Sequence, residues 1–239
     1  MSNCINEIIE NGEKFYNQLK LDVHGRYLSW EHCYKTFNDS RELELTEEVI
    51  DRLCLHLSFY LASWGMYRGS SFLLQKDYKV HNEAIKEIFK DEYNNLWGIE
   101  CKEYFNEENQ IVLDNLTSNL RNIYSKIRSS AKQIDIKMEV SDTLITKILM
   151  GTLGCVPAYD RYFVTGIREY KIAPGTYGIN SILNLCQFYQ DNFEYFEKTR
   201  KNMKIGNLIY PQMKVIDMCM WQIGYELDKK YNILPLKKW

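Results

Sequence analysis

Apolar residues recur every three or four positions along most of the chain, and the first 156 residues contain no proline. That spacing predicts helices rather than strands. Ile5, Ile8, Ile9 and Phe15 mark the inner face of a first helix over residues 4–19. Ser29 is the expected N-cap of a shorter helix over 29–37. Thr46 opens a long helix whose first turn carries Glu47 and Glu48, where the helix dipole favours them. Because residues 53–66 are apolar almost all round, this helix is the expected buried centre. Further helices are predicted over 81–93, 110–128, 181–201 and 211–230, the last with Pro211 at its start. Ser141 caps another that ends at Gly154, and Asp160 opens one through 169. "QIDIKMEV" (133–140) alternates briefly and reads as a linker, so no strand is predicted. The expected fold is all-α: one irregular globular domain over 1–239, with about eight helices around a buried central helix.

Composition adds a folded interior rich in polar tips. Apolar residues make up 45% of the chain and aromatics 14%, including 18 tyrosines and 5 tryptophans. Buried tyrosine and tryptophan need hydrogen-bond partners, so a polar and aromatic cluster is expected inside. Seven scattered cysteines with no C-x-x-C pair read as reduced thiols. The N-terminus has no signal-peptide pattern, and no apolar run is long enough to span a bilayer. A cytoplasmic protein with no membrane partner is the expectation.

Net charge is −2, which disfavours nucleic acid as a partner. The ends differ, with 10 acidic against 5 basic residues over 1–50 and 9 basic against 3 acidic over 198–239. The four histidines sit at spacings that place no two ligands on one helix face, and no phosphate-binding glycine motif or nucleophile elbow occurs. Neither a metal nor a cofactor is expected. Arg26, Trp30, His32, His56, Trp64, Arg68 and Arg161 are the polar and aromatic groups expected to converge on a pocket with Asp160. Gly65 is read as a glycine within a helix, marking close approach by another backbone or a ligand. Arg68 is expected to pair with a buried carboxylate, for which Asp160 is a candidate. Arg68 with Gly69, Ser70 and Ser71 could alternatively hold an anion.

Asp160 follows "GTLGCVPAY" and precedes "RYFVTGI". Its position suits a helix cap. The stretch from 143 to 167 also resembles the second half of the helix-hairpin-helix DNA glycosylase module, on Pro157, Ala158, Tyr159, Asp160 and Phe163. That resemblance implies a catalytic carboxylate at Asp160. In a nucleic-acid-acting protein the basic stretch with Lys198, Arg200, Lys201 and Lys204 is the expected phosphate contact. The expected function is that of a non-catalytic binding or interaction protein, self-associating or with another partner; the alternative is a nucleic-acid-acting protein with Asp160 as the catalytic carboxylate. The sequence leaves open whether the chain is an enzyme.

Overall fold

The computed structural model describes residues 2–130 and 140–233. The chain is built mainly of helices: α1 (Ser2–Leu21), α2 (Ser29–Asp39), α3 (Glu47–Ser63), α4 (Asn82–Ile88) and α5 (Glu107–Ser129). The second half holds α6 (Asp142–Thr152), α7 (Arg161–Glu169), α8 (Ile179–Asp191), α9 (Phe193–Arg200) and α10 (Gln212–Ile233). A two-residue hairpin, Lys204–Ile205 with Leu208–Ile209, is the strand pairing that the apolar pattern did not predict. The linker expected over 133–140 lies outside the described residues except for Val140. No helix among the described residues is long and apolar enough to cross a membrane.

Three predicted caps hold. Thr46 accepts from the Val49 N–H, Ser141 from Leu144, and Asp160 from both Tyr162 and Phe163. Ser29 is no cap: a 3-10 turn over Arg26–Leu28 runs straight into α2, so Ser29 lies inside the helix and is buried. The helix expected over 181–201 breaks at Asn192, whose side-chain amide donates back to the Phe188 carbonyl. That over 81–93 stops at Ile88, followed by a 3-10 turn over Asp91–Leu96.

The buried element also differs from the expectation. Leu55 and Phe59 on α3 are 47% and 60% exposed, so α3 is apolar on its solvent face as well as its inner one. Residues 211–224, which include the start of α10, are instead buried without interruption. Helix α10 packs against α1 on one side and α7 on another, while α2 lies against α3 and α6. The α7–α10 crossing is close because two glycines permit it. A Cβ on Gly166 would stand 2.1 Å from the Met220 carbonyl oxygen, and one on Gly224 would stand 2.0 Å from that of Tyr162.

Gly65 does not lie within a helix. It follows the end of α3 with φ +78°, and the Met66 N–H bonds the Leu61 carbonyl while the Gly65 N–H bonds that of Ala62. This is a Schellman stop, which needs the left-handed backbone that glycine adopts freely. It turns the chain so that Trp64, Met66 and Arg68 face the start of α7.

Candidate functional site

The turn from Pro157 to Asp160 is held by hydrogen bonds from two helices. The Ala158 N–H donates to Asp217 on α10 (3.0 Å), and the Tyr159 N–H to the Thr146 hydroxyl on α6 (2.9 Å). The Thr143 hydroxyl donates to the Tyr159 carbonyl. This fixes Asp160 at the head of α7, where Oδ1 accepts the Tyr162 and Phe163 N–H groups at 3.1 and 3.2 Å. Its Oδ2 lies 3.3 Å from Nζ of Lys147. Asp160 is therefore a helix cap and an ion-pair partner at once.

The partner is a lysine, not the arginine expected from the sequence. Arg68 is exposed, makes no ion pair among the described residues, and lays its guanidinium along Gly65. Lys147 sits on the inner face of α6 and is only 4% exposed. Its ammonium donates to the Trp64 carbonyl at 3.0 Å and lies 5.5 Å from the centre of the Trp64 ring. Burial pushes its pKa below the ordinary lysine value, opposed by Asp160 and more weakly by Asp217. A second pair lies deeper: Lys214 donates to Asp217 at 2.8 Å, with its ammonium 4.8 Å from the Trp30 ring and 5.5 Å from Trp64. Burial raises the Asp217 carboxyl above its ordinary range, offset in part by Lys214. Trp64 thus lies over the ammonium groups of both pairs.

Above Lys147 and Asp160 opens a cleft of about 720 Å³, within the usual range for small-molecule sites. Its walls are a continuous set of rings. Tyr27 lies 4.8 Å from Trp64, Trp221 meets Trp64 edge-on at 5.9 Å, and Tyr225 stacks on Trp221 at 5.1 Å. Tyr162 meets Trp221 edge-on at 5.1 Å, a contact that the close α7–α10 crossing allows. Among the described residues the indole N–H groups of Trp64 and Trp221 are buried without an acceptor. Two Arg-Tyr dipeptides form part of the rim: Arg26 and Arg161 each lie 4.7 Å over the following tyrosine ring and donate to its hydroxyl. Arg161 also reaches Asp228 at 3.3 Å.

Of the residues expected to converge, Arg26, Trp64, Arg68, Asp160 and Arg161 line this cleft. Trp30 lies beneath it, buried, its indole N–H donating to the Met150 carbonyl. His32 and His56 face each other across α2 and α3, outside the cleft lining; Thr36 Oγ1 stands 3.3 Å from His56 Nδ1. Burial lowers the His56 pKa, and the neighbouring His32 adds to that. Ser70 is exposed and outside the cleft lining, and the Ser71 hydroxyl donates to the Met66 carbonyl. Lys198, Arg200, Lys201 and Lys204 are absent from the cleft lining, and Arg200 is engaged by Glu197 and the Tyr210 carbonyl. Among the described residues no group of three or more His, Cys, Asp or Glu side chains is placed to hold a metal ion.

Lys147, Lys214 and Asp217 were not anticipated, nor were the tyrosines of the rim. No family model, curated protein or solved structure matches the chain. The cleft itself is therefore what function can be argued from.

Proposed function

We propose that the protein is a binding protein whose cleft takes a flat, negatively charged ligand of the nucleotide class, free or as a unit of a nucleic acid. The observation that supports this is a local reversal of charge. The cleft lining brings Arg26, Arg68, Lys147 and Arg161 together with a single lining carboxylate, Asp160, and Arg161 also meets Asp228 just outside the lining, in a chain of net charge −2. Such a concentration in a low-dielectric recess attracts anions. Arginine forks suit phosphate, and tyrosine and tryptophan faces suit a base. Calorimetric titration with nucleoside monophosphates and with the parent nucleosides tests it. The phosphates are expected to bind at least tenfold tighter, and Arg26→Ala with Arg161→Ala to remove that margin. Absence of binding by every nucleotide at millimolar concentration refutes the reading.

A nucleic-acid-acting role for Asp160 is the second reading, favoured by the Lys147–Asp160 pair at the floor of the cleft and by the glycosylase resemblance. Both carboxylate oxygens are engaged, so Asp160 would stabilise positive charge developing on a sugar rather than abstract a proton. Release of a damaged base from an oligonucleotide by the wild type and not by Asp160→Asn is the expected result. No release by either sinks this reading and leaves the binding role standing.

A further inference from the structure

The cleft does not end at its aromatic wall. A smaller chamber of about 280 Å³ adjoins it and shares Arg26, Tyr27, Trp221 and Tyr225 as lining. Its remaining walls come largely from α1 and the turn that follows, and its chemistry is different. Where the cleft holds cations, the chamber holds Asp22 and the amides of Gln18 and Gln222 over an apolar base of Phe15 and Leu19. Asp22 Oδ1 accepts the His24 N–H, while Oδ2 takes no hydrogen bond among the described residues.

We propose that the two chambers together bind a dinucleotide, with the second base in the smaller chamber. This rests on the reading of the cleft as a nucleotide site and adds a second subsite to it. Arg26 lines both chambers, so it is placed for the phosphodiester between the two units, a contact to which a guanidinium fork is suited. Tyr27 and the stacked Trp221–Tyr225 pair also line both, so each base would meet aromatic edges. Asp22 repels a phosphate and accepts a hydrogen bond from an exocyclic amino group. Adenine, cytosine and guanine carry that group and thymine does not, so the subsite selects an amino-bearing base.

The test is calorimetry with deoxyadenosine monophosphate, the adenine dinucleotide and the thymine dinucleotide, on wild type, Gln18→Trp and Asp22→Ala. Gln18 and Asp22 are exposed and lie outside the larger cleft, so both variants are expected to fold. The adenine dinucleotide should bind at least tenfold tighter than its monophosphate. Gln18→Trp, which fills the chamber, should reduce that gain below twofold while leaving monophosphate affinity unchanged. Asp22→Ala should abolish the preference for adenine over thymine. Equal affinity for one and two units, or a gain that survives Gln18→Trp, overturns the second subsite alone. Absence of all nucleotide binding overturns the cleft reading and the subsite with it.

Discussion

Replacing Asp160 by Asn separates its two roles. The amide oxygen still accepts from Tyr162 and Phe163, so α7 keeps its cap. What disappears is the charge 3.3 Å from Lys147, whose ammonium is otherwise left with the Trp64 carbonyl and ring. Breaking a buried pair costs about 3–5 kcal/mol. Here the cost has a ceiling, because Lys147 can give up its proton instead. From an unfolded lysine near 10.4 to pH 7.5 is roughly 3 pH units, or about 4 kcal/mol. The Trp64 contacts retain part of the charge, so a loss of about 2–4 kcal/mol is expected at pH 7.5. By pH 9.5 the ceiling falls to about 1 kcal/mol. The sign follows from linkage: burial already lowers the Lys147 pKa, and losing Asp160 lowers it further. Below the ordinary lysine value the folded variant then binds fewer protons than the unfolded chain, so its stability rises with pH. Urea unfolding at pH 7.5, 8.5 and 9.5, followed by circular dichroism, measures this. Lys147→Met combined with Asp160→Asn should recover most of the loss. A single variant as stable as wild type at pH 7.5, or a deficit that does not shrink toward pH 9.5, refutes the buried-pair argument.

Other consequences are simpler to read. Gly166→Ala puts a methyl 2.1 Å from the Met220 carbonyl oxygen, and should cost about 3 kcal/mol in urea unfolding by forcing α7 off α10; a change below 1 kcal/mol would mean that the crossing is loose. His81 is fully buried between the Tyr67 and Tyr124 hydroxyls, and burial pushes its pKa down to about 3. It stays neutral in the fold while the unfolded chain takes a proton below about pH 6.5, so its contribution is whole above that pH and lost progressively toward pH 3, up to about 4 kcal/mol. His81→Gln should flatten that part of the stability profile relative to wild type, and parallel profiles would contradict it. Cys4 is exposed and the other six thiols are buried, so iodoacetamide should label one thiol per native chain and seven in urea, by mass; rapid labelling of several in the native protein would show that the core opens readily.

Local signals in the sequence were good guides where one residue determines the outcome. Thr46, Ser141 and Asp160 cap the helices expected of them because a cap depends on its own oxygen and an N–H two or three residues on. Boundaries set by the surroundings were not legible. Nothing near Asn192 announces a break, and Ser29 looks like a cap until a preceding 3-10 turn occupies that place. The apolar run of α3 misled for another reason: Leu55 and Phe59 are apolar yet face solvent, so composition overstated its burial. The rim of the cleft was half visible, since Arg26, Trp64, Arg68 and Arg161 could be grouped without their geometry. Its floor was not. Lys147 and Asp217 are isolated charges within the apolar runs "TLITKILMG" and "VIDMCMW". That is a sign of a buried ion needing a partner, but the sequence does not say which partner.

The inner pair decides what these charges are for. Lys214 and Asp217 meet at 2.8 Å, and neither lines the cleft. Removing two ions from water costs more than their attraction returns unless every lone pair and proton is used, and apolar groups of equal volume are often as stable. Asp217 has one further duty, the hydrogen bond from the Ala158 N–H that holds the turn before Asp160. Lys214→Met with Asp217→Asn keeps the bulk and that bond while deleting both charges. Its stability should lie within about 1 kcal/mol of wild type. Lys214→Met alone should be worse, because it leaves a carboxylate that burial already disfavours and that must take up a proton. A double variant more than about 3 kcal/mol less stable would make the pair a net stabiliser of the fold. A double variant as stable as wild type leaves the charges without a structural purpose. Their remaining effect is then electrostatic, on Lys147, whose proton Asp217 helps to retain beneath the cleft.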